Sequence, residues 1–233
     1  METNIKKLRG LYYMNYLLID TSNQPLSVAI MKDDKVLVEK TTDIKQNHSV
    51  QLMPEIKSLF EKSYIDKCDI TDIAVAEGPG SYTGLRIGVT VAKTLAYALN
   101  SNLYGVSSLK ALAATVKDDT RLLVPIFDAR REAVYTGVYQ YQKGTLITII
   151  EDTYILINEL LHKLHHMKQP YVFIGHHTDK INHLLDSEVI KQLPRAAIMK
   201  QLIQNPVNIH AFTPKYHKLS EAERNWIDRQ QNS

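Results

Sequence analysis

One stretch decides the fold: Ala76-Glu77-Gly78-Pro79-Gly80-Ser81-Tyr82-Thr83-Gly84-Leu85-Arg86-Ile87-Gly88, followed by an apolar run to residue 99. Residues 70–76 are short, apolar and β-branched, which predicts a buried strand. The Gly-Pro-Gly turn then reverses the chain, and Ser81 or Thr83 caps a helix that continues to about residue 99. The stretch therefore predicts a strand, a tight turn and a long helix in direct succession.

The predicted helix has two apolar stripes at helical spacing. The first stripe consists of Leu85, Val89, Ala92, Ala96 and Leu99, and the second of Ile87, Val91, Leu95 and Ala98. The polar seam beside them is narrow and consists of Arg86, Thr90, Lys93 and Tyr97. A helix that is apolar nearly all round must be covered on more than one side. Its own sheet covers one side, and either more of this chain or a second protein covers the other.

The four glycines at positions 78, 80, 84 and 88 have two interpretations. Glycine loops between a strand and a helix hold phosphates on backbone N–H groups, whereas glycines at helix contacts permit close backbone packing. The motif is neither G-x-G-x-x-G nor a Walker loop ending in Gly-Lys-Ser. Packing is therefore favoured over phosphate binding.

Several other motifs occur in an order that resembles one known family. They are Leu17-Leu18-Ile19-Asp20-Thr21-Ser22, the helix that begins at His48-Ser49 and includes Pro54, Phe127-Asp128-Ala129-Arg130-Arg131-Glu132-Ala133-Val134-Tyr135, and Pro214-Lys215-Tyr216-His217-Lys218 with Glu221-Ala222-Glu223. Together with the run 77–99, they resemble the TsaB (also called YeaZ) family, a degenerate branch of the ASKHA fold of sugar kinases, Hsp70 and actin. The likeness covers residues 14 to about 224.

The resemblance implies an α/β, ASKHA-like fold of two ribonuclease-H-like lobes, each a mixed sheet with helices. The N-terminal lobe, with the partner-binding helices, is expected over 14–115, and the C-terminal lobe and tail over 116–233. Residues 1–13 lack periodicity and are expected to be a disordered extension. Either Met14 is the physiological start, or the leader is an ordinary basic tail.

A second predicted helix, over 48–64, bears on the choice of partner. Its apolar stripe is widened by Val50 and Met53, although an ordinary core helix would show the same pattern. In the TsaB family these two helices form the surface that pairs with another copy or with the related subunit TsaD. The resemblance therefore implies the partner-binding residues His48, Met53, Ile56, Tyr82, Arg86, Val89, Lys93 and Tyr97. Replacing Val89 by Arg is expected to abolish pairing and to leave the monomer folded.

Five residues are candidates for a vestigial nucleotide site: Asp20, Thr21, Ser22, Asp128 and Gly175. They resemble ASKHA phosphate motifs, in which carboxylates hold Mg²⁺, and Gly175 is the one glycine where that fold class has a glycine-rich adenosine turn. Alternatively, Asp20 and Thr21 end a strand and Asp128 begins a hairpin. No catalytic residue and no cofactor are expected in this chain alone. ATP binding is expected only at an interface that the chain shares with another subunit of a complex.

Histidines and basic residues raise two further questions. His162 and His166 are spaced i, i+4, and His176 and His177 are adjacent, but a solvated basic helix end is favoured and no metal is expected. The tail interleaves basic residues with aromatics, which suits RNA, although an ordinary amphipathic helix fits equally well. These tail residues are Lys215, Tyr216, His217, Lys218, Arg224, Trp226 and Arg229.

Composition favours a cytoplasmic globular protein. The chain has 233 residues, of which 44% are hydrophobic and 23% charged. Its single cysteine, Cys68, excludes an internal disulfide and fits a reducing compartment. No apolar run reaches the length of a membrane span. A formal net charge of +3 is mild for a protein that holds nucleic acid alone.

The resemblance implies a non-catalytic scaffold or dimerisation subunit. TsaD of that family transfers a threonylcarbamoyl group to adenosine N6 beside the anticodon of tRNAs that read codons beginning with A, and it requires TsaB. Expected partners are a TsaD-like subunit, a TsaE-like ATPase, tRNA through the complex, and a second copy when the chain is alone. The alternatives are a stand-alone ATP-dependent phosphotransferase of the ASKHA class and a self-associating structural protein.

Overall fold

The computed structural model describes residues 13–43 and 47–218, and its strands form two five-stranded mixed sheets. The first sheet has the order β3-β2-β1-β4-β5, with β1 antiparallel to β2 and parallel to β4. Its strands are β1 (Asn15–Asp20), β2 (Leu26–Lys32), β3 (Lys35–Thr42), β4 (Asp72–Gly78) and β5 (Asn102–Ser107). This sheet is the centre of the first lobe.

The second sheet repeats that arrangement. Its strands are β6 (Leu122–Asp128), β7 (Ala133–Gln142), β8 (Thr145–Leu156), β9 (Tyr171–Gly175) and β10 (Val189–Lys191). The order is β8-β7-β6-β9-β10, with antiparallel pairing from β6 to β8 and parallel pairing from β6 to β10. Both sheets therefore have the same strand order and directions, which confirms the predicted two-lobed α/β fold.

In the described part of the chain, four α-helices connect these strands: α1 (His48–Ser63), α2 (Tyr82–Leu99), α3 (Ser108–Ala113) and α4 (Ile157–Met167). The first residues of α2 follow a serine cap, because the Ser81 side chain accepts from the Gly84 N–H. The helix ends at Asn100, which adopts the left-handed conformation common at helix C-termini. None of the helices among the described residues is both long and apolar enough to cross a membrane.

The first lobe buries most of one apolar stripe of α2, where only Leu99 is half-buried, and less of the other. Leu85, Val89, Ala92 and Ala96 are buried, and the last three share a core cluster with the first sheet and α1. Ile87, Val91 and Leu95 of the second stripe are half-buried, and Ala98 is exposed. The lobe therefore leaves part of this helix uncovered, as its apolar pattern predicts.

The chain returns to the first lobe after β10. The 3₁₀ helix Ala196–Leu202 packs on the face of the first sheet opposite α1 and α2, where Ala196 and Met199 are buried. Further along, Phe212 joins the core on the α2 side. Within the range 116–233, expected to form the C-terminal lobe and tail, this segment therefore packs on the first lobe. Apolar side chains on that sheet face, such as Leu18 and Ala74, need this cover.

Polar contacts and α3 join the two lobes. Leu109 and Leu112 of α3 are buried in the core of the second lobe. The Ser107 hydroxyl at the end of β5 donates to an Asp152 carboxylate oxygen of β8 at 2.5 Å. Residues 1–12 of the predicted extension 1–13 lie outside the described residues, as do the predicted tail residues Glu221, Glu223, Arg224, Trp226 and Arg229.

Candidate functional site

The loop after β1 is closed by the N-terminus of α2. The Ser81 N–H donates to the Ser22 carbonyl at 2.6 Å, and the Thr21 hydroxyl donates to the Gly84 carbonyl at 2.7 Å. A Cβ atom on Gly80 or Gly84 would lie 2.1 Å from the carbonyl oxygen of Ser22 or Thr21, respectively. The glycines thus permit close backbone packing between the loop and the helix, as the favoured interpretation predicts.

Asp20 is buried in this loop rather than presented to a cavity. Its Oδ1 accepts from the Ser22 N–H at 2.9 Å and from the Ser22 hydroxyl at 2.7 Å. Burial raises the pKa of the Asp20 carboxyl, and the hydrogen bonds from Ser22 oppose that shift. A magnesium ion would need this carboxylate in an open position, where it is not found.

The other candidate nucleotide residues do not complete a site. Asp128 is exposed at the end of β6, and its Oδ1 accepts from the Arg130 N–H at 2.7 Å. At Gly175 an added Cβ would lie 2.5 Å from Thr178, so the turn after β9 is already filled. The space beside Ser22 and His176 is a cavity of about 10 Å³, enough for roughly one water molecule.

A larger cleft of about 680 Å³ opens between the lobes. We refer to it as the interlobe cleft. It is lined by the N-terminus of α2, the turn between β6 and β7, and the C-terminal segment. The lining residues include Ser81, Tyr82, Asp128, Arg130, Arg131, Lys215, Tyr216, His217 and Lys218. Its cations are two arginines and two lysines, against the single carboxylate of Asp128.

The eight predicted partner-binding residues divide by burial. Met53, Tyr82 and Tyr97 are 47%, 44% and 69% exposed, Arg86 is also exposed, and Lys93 is half-buried. Ile56 and Val89 are 2% and 3% exposed, because both face the first sheet. His48 is buried too, and its Nε2–H donates to the Gln24 carbonyl at 3.0 Å. The partner-binding role predicted for these three residues is corrected, since buried side chains offer no surface to a partner.

The C-terminal segment binds the polar seam of α2. Lys93 Nζ donates to the Phe212 and His210 carbonyls at 2.7 and 3.1 Å. Arg86 Nε donates to the Tyr216 hydroxyl at 3.1 Å, and the rings of Tyr82 and Tyr216 are 4.8 Å apart. Much of the predicted partner seam is therefore in contact with the chain's own C-terminal segment.

Two histidines and one aspartate also join the two lobes through hydrogen bonds. The Nε2 atoms of His176 and His177, which follow β9, each lie 2.7 Å from a carboxylate oxygen of Asp43, which follows β3. Slight burial of Asp43 acts to raise its pKa, but the hydrogen bonds from His177 and His176 outweigh it and lower the pKa. These are hydrogen-bond distances, shorter than the roughly 3.3 Å that separates two ligand atoms bound to one tetrahedral zinc ion.

The repeated topology defines a class: a protein of two lobes with an ASKHA-like α/β fold, in which each lobe is built on a five-stranded mixed sheet. Solved structures agree on the fold. A YeaZ structure from Pseudomonas aeruginosa is 22% identical, has a TM-score of 0.71 and covers 86% of this chain and 100% of that one. A second Pseudomonas aeruginosa structure, described as similar to peptidase YeaZ, has a TM-score of 0.77 and covers 88% and 100% at the same identity.

The sequence comparisons give the family. A family model described as TsaD, tRNA N6-adenosine threonylcarbamoyltransferase, matches residues 35–209. The tRNA threonylcarbamoyladenosine biosynthesis protein TsaB of Bacillus subtilis is 39% identical, covering 93% of this chain and all of that protein. The protein of the same name from Escherichia coli is 29% identical, over 70% of this chain and 71% of that protein. The chain belongs to the TsaB family.

Proposed function

We propose that this chain is a non-catalytic scaffold subunit in tRNA threonylcarbamoyladenosine biosynthesis. It pairs with a TsaD-like subunit and is required for the transfer of the threonylcarbamoyl group to adenosine N6 beside the anticodon, in tRNAs that read codons beginning with A. The names of the Bacillus subtilis and Escherichia coli relatives place those proteins in this biosynthesis. A TsaE-like ATPase joins the complex, tRNA binds through the complex, and the free chain pairs with a second copy.

One observation carries the proposal: the exposed apolar surface of α1 and α2. Val50 and Met53 of α1 are 70% and 47% exposed, and Tyr97 of α2 is 69% exposed. Val91 and Leu95 of α2 lie half-buried on the same pair of helices. We call these five residues the α1–α2 face. Apolar side chains that are left uncovered on adjacent helices are typical of a protein–protein contact.

The closed loop supports a scaffold over a stand-alone phosphotransferase. In a phosphotransferase, a carboxylate at the end of the first strand must reach Mg²⁺, and backbone N–H groups must point at the phosphates. Here the N–H and the hydroxyl of Ser22 both donate to Asp20 Oδ1, and the Ser81 N–H donates to the Ser22 carbonyl. The geometry therefore favours pairing over ATP turnover by the chain alone.

A co-purification experiment with matched variants tests the pairing. The full-length chain is expressed with a tagged TsaD-like subunit, and Met53→Arg is compared with Ile149→Arg. Ile149 is an exposed apolar residue on β8 and lies far from the α1–α2 face in sequence and in sheet. We expect loss of the complex for Met53→Arg and an unchanged complex for Ile149→Arg, with both proteins folded. Equal recovery of the two variants would contradict the placement of the surface.

A further inference from the structure

The turn between β6 and β7 holds two arginines in an unusual backbone conformation. Arg130, Arg131 and Glu132 have φ angles of +65°, +54° and +57°. Three successive residues other than glycine therefore adopt the left-handed backbone conformation. The left-handed conformation is unfavourable for residues with a Cβ atom, and backbone strain of this kind concentrates at functional sites. The Asp128 carboxylate accepts from the Arg130 N–H at 2.7 Å and begins this turn. The conformation places both arginines in the lining of the interlobe cleft.

The charges in the cleft are not balanced within the part of the chain that the structure describes. No hydrogen bond or ion pair there engages the guanidinium groups of Arg130 and Arg131, and both side chains are exposed. Lys215 is paired with Glu77 at 2.7 Å, whereas Lys218 donates to the neutral Ala129 carbonyl at 3.1 Å. The positive N-terminal end of the 18-residue helix α2 faces the same space. This arrangement favours an anionic ligand.

Aromatic rings extend the cleft along the surface of α2. Tyr216 and Tyr82 are 42% and 44% exposed and lie with their ring centroids 4.8 Å apart. The guanidinium of Arg86 lies over the Tyr82 ring, 4.2 Å from its centroid. Cations beside exposed aromatic rings suit a polymer of phosphates and bases, because phosphates pair with the cations and bases stack on the rings.

A free nucleoside triphosphate fits this cleft less well than RNA. The buried Asp20 is not among the residues that line it, so the first-strand carboxylate does not reach a metal there. The turn at Gly175, where the fold class holds adenosine, is filled by Thr178. The cleft is open and continues along α2, which matches an extended strand rather than an enclosed small molecule.

We propose that the interlobe cleft binds the phosphodiester backbone of tRNA through Arg130, Arg131 and Lys218, with Tyr216 as a stacking platform. This inference rests on the proposed function, since it assigns to this chain a direct contact with the RNA on which the complex acts. Arg130 and Arg131 are the decisive residues, because their side chains have no other partner among the described residues and their backbone is strained.

Fluorescence anisotropy with a labelled, unmodified tRNA transcript tests the contact on the full-length chain. The double variant Arg130→Gln/Arg131→Gln is compared with Lys62→Gln/Lys163→Gln, which removes the same charge from exposed positions outside the cleft. We expect binding about tenfold weaker for the arginine variant, and a slope of log affinity against log salt that is smaller by about 1.4. The lysine variant should bind like the original chain.

A second variant separates binding from folding. Replacing both arginines by glycine removes the strain as well as the charge, so Arg130→Gly/Arg131→Gly should unfold at a higher temperature and still bind tRNA weakly. Equal tRNA affinity for all variants would overturn the inference, and so would competition by millimolar ATP that abolishes tRNA binding.

Failure of this inference is distinguishable from failure of the proposed function. In the reconstituted complex, the arginine variant should raise KM for tRNA and keep kcat, because the cleft positions RNA and does not touch the reacting atoms. A complex that modifies tRNA with unchanged KM in this variant overturns the cleft assignment and leaves the scaffold function standing. A complex that needs no such chain at all overturns the scaffold function.

Discussion

The hydroxyl of Thr21, in the loop after β1, donates a hydrogen bond of 2.7 Å to the carbonyl of Gly84, in the first turn of α2. This contact joins the loop after β1 to α2, the helix that carries part of the proposed α1–α2 face. Thr21 also lies close to α2 one turn further along the helix, where a Cβ atom added to Gly88 would lie 2.2 Å from the same hydroxyl oxygen. The closed loop and the position of α2 therefore depend on each other.

Gly88→Ala tests this dependence. Alanine is the better helix former, by about 1 kcal/mol, but its Cβ would collide with the Thr21 oxygen, and overpacking costs about 1–3 kcal/mol. We expect a net loss of unfolding free energy in chemical denaturation. Without the Thr21 hydroxyl, the added Cβ would meet only ordinary contacts at 3.4 and 3.5 Å.

The same substitution should therefore cost much less in a Thr21→Ala background. Thr90→Ala, at an exposed position of the same helix, serves as the control and should change stability by less than about 0.5 kcal/mol. Additive effects of Thr21→Ala and Gly88→Ala would contradict the contact.

Val89→Arg has a different expected result from the one its sequence position suggests. Val89 is 3% exposed and packs against the first sheet, so an arginine there would bury a charge in the core. We expect a loss of unfolding free energy above about 3 kcal/mol, together with poor solubility, rather than a folded monomer that does not pair. A melting temperature equal to that of the original chain would show that the side chain faces outward after all.

The buried carboxyl of Asp20 predicts a specific pH dependence. Burial raises its pKa above the ordinary value of 3.8, so the folded protein holds this proton more tightly than the unfolded chain does. The stability that Asp20 contributes is greatest below that ordinary value and declines as the pH rises through the folded pKa. Asn keeps an oxygen for both Ser22 hydrogen bonds and carries no charge. The unfolding free energy of Asp20→Asn, relative to that of the original chain, should therefore increase as the pH rises from the ordinary value of 3.8 through the folded pKa.

Denaturant titrations at several pH values measure this trend. Asp179→Asn is the control, since the Asp179 side chain is 76% exposed. A stability difference for Asp20→Asn that is independent of pH would contradict the buried, protonatable carboxyl.

Lys93→Met tests the attachment of the C-terminal segment to α2. Removing the ammonium group loses its hydrogen bonds to the Phe212 and His210 carbonyls, each of which is worth about 1.5–3 kcal/mol when the donor is charged. Hydrogen exchange should become faster in residues 207–216 and stay unchanged in the second sheet. Lys57→Met, at a side chain that is 80% exposed, should leave both regions unaffected. Equal protection in the two variants would rule out the anchoring role of Lys93.

Local pattern was enough to predict much of the fold. The strand, turn and helix around Ser81 lie where the sequence predicts them, because a serine cap, a glycine turn and helical spacing are local signals. The stretch 179–204 is less predictable, because it forms two 3₁₀ helices around the short strand β10. Pairing of β10 with β9 overrides helical propensity there, and a contact between distant residues has no local signal.

The candidate site was less predictable, for two physical reasons. Periodicity shows which residues share a helix face, but it does not show that the stripe with Val89 meets the sheet while Met53 of α1 stays exposed. The cationic cleft depends on the left-handed turn at Arg130 and Arg131 and on the return of the chain to α2. The sequence Asp128-Ala129-Arg130-Arg131 already held a signal, since an aspartate before two arginines can cap a turn, but the cleft itself is a tertiary feature.

Reconstituted threonylcarbamoyl transfer tests the central proposal most directly. A TsaD-like subunit, a TsaE-like ATPase, tRNA and a source of threonylcarbamoyl-AMP are incubated with this chain, without it, or with its Met53→Arg variant, and modified adenosine is measured by mass spectrometry. The scaffold function predicts modification only with the original chain, and little or none with Met53→Arg. Full modification in the absence of the chain would contradict it.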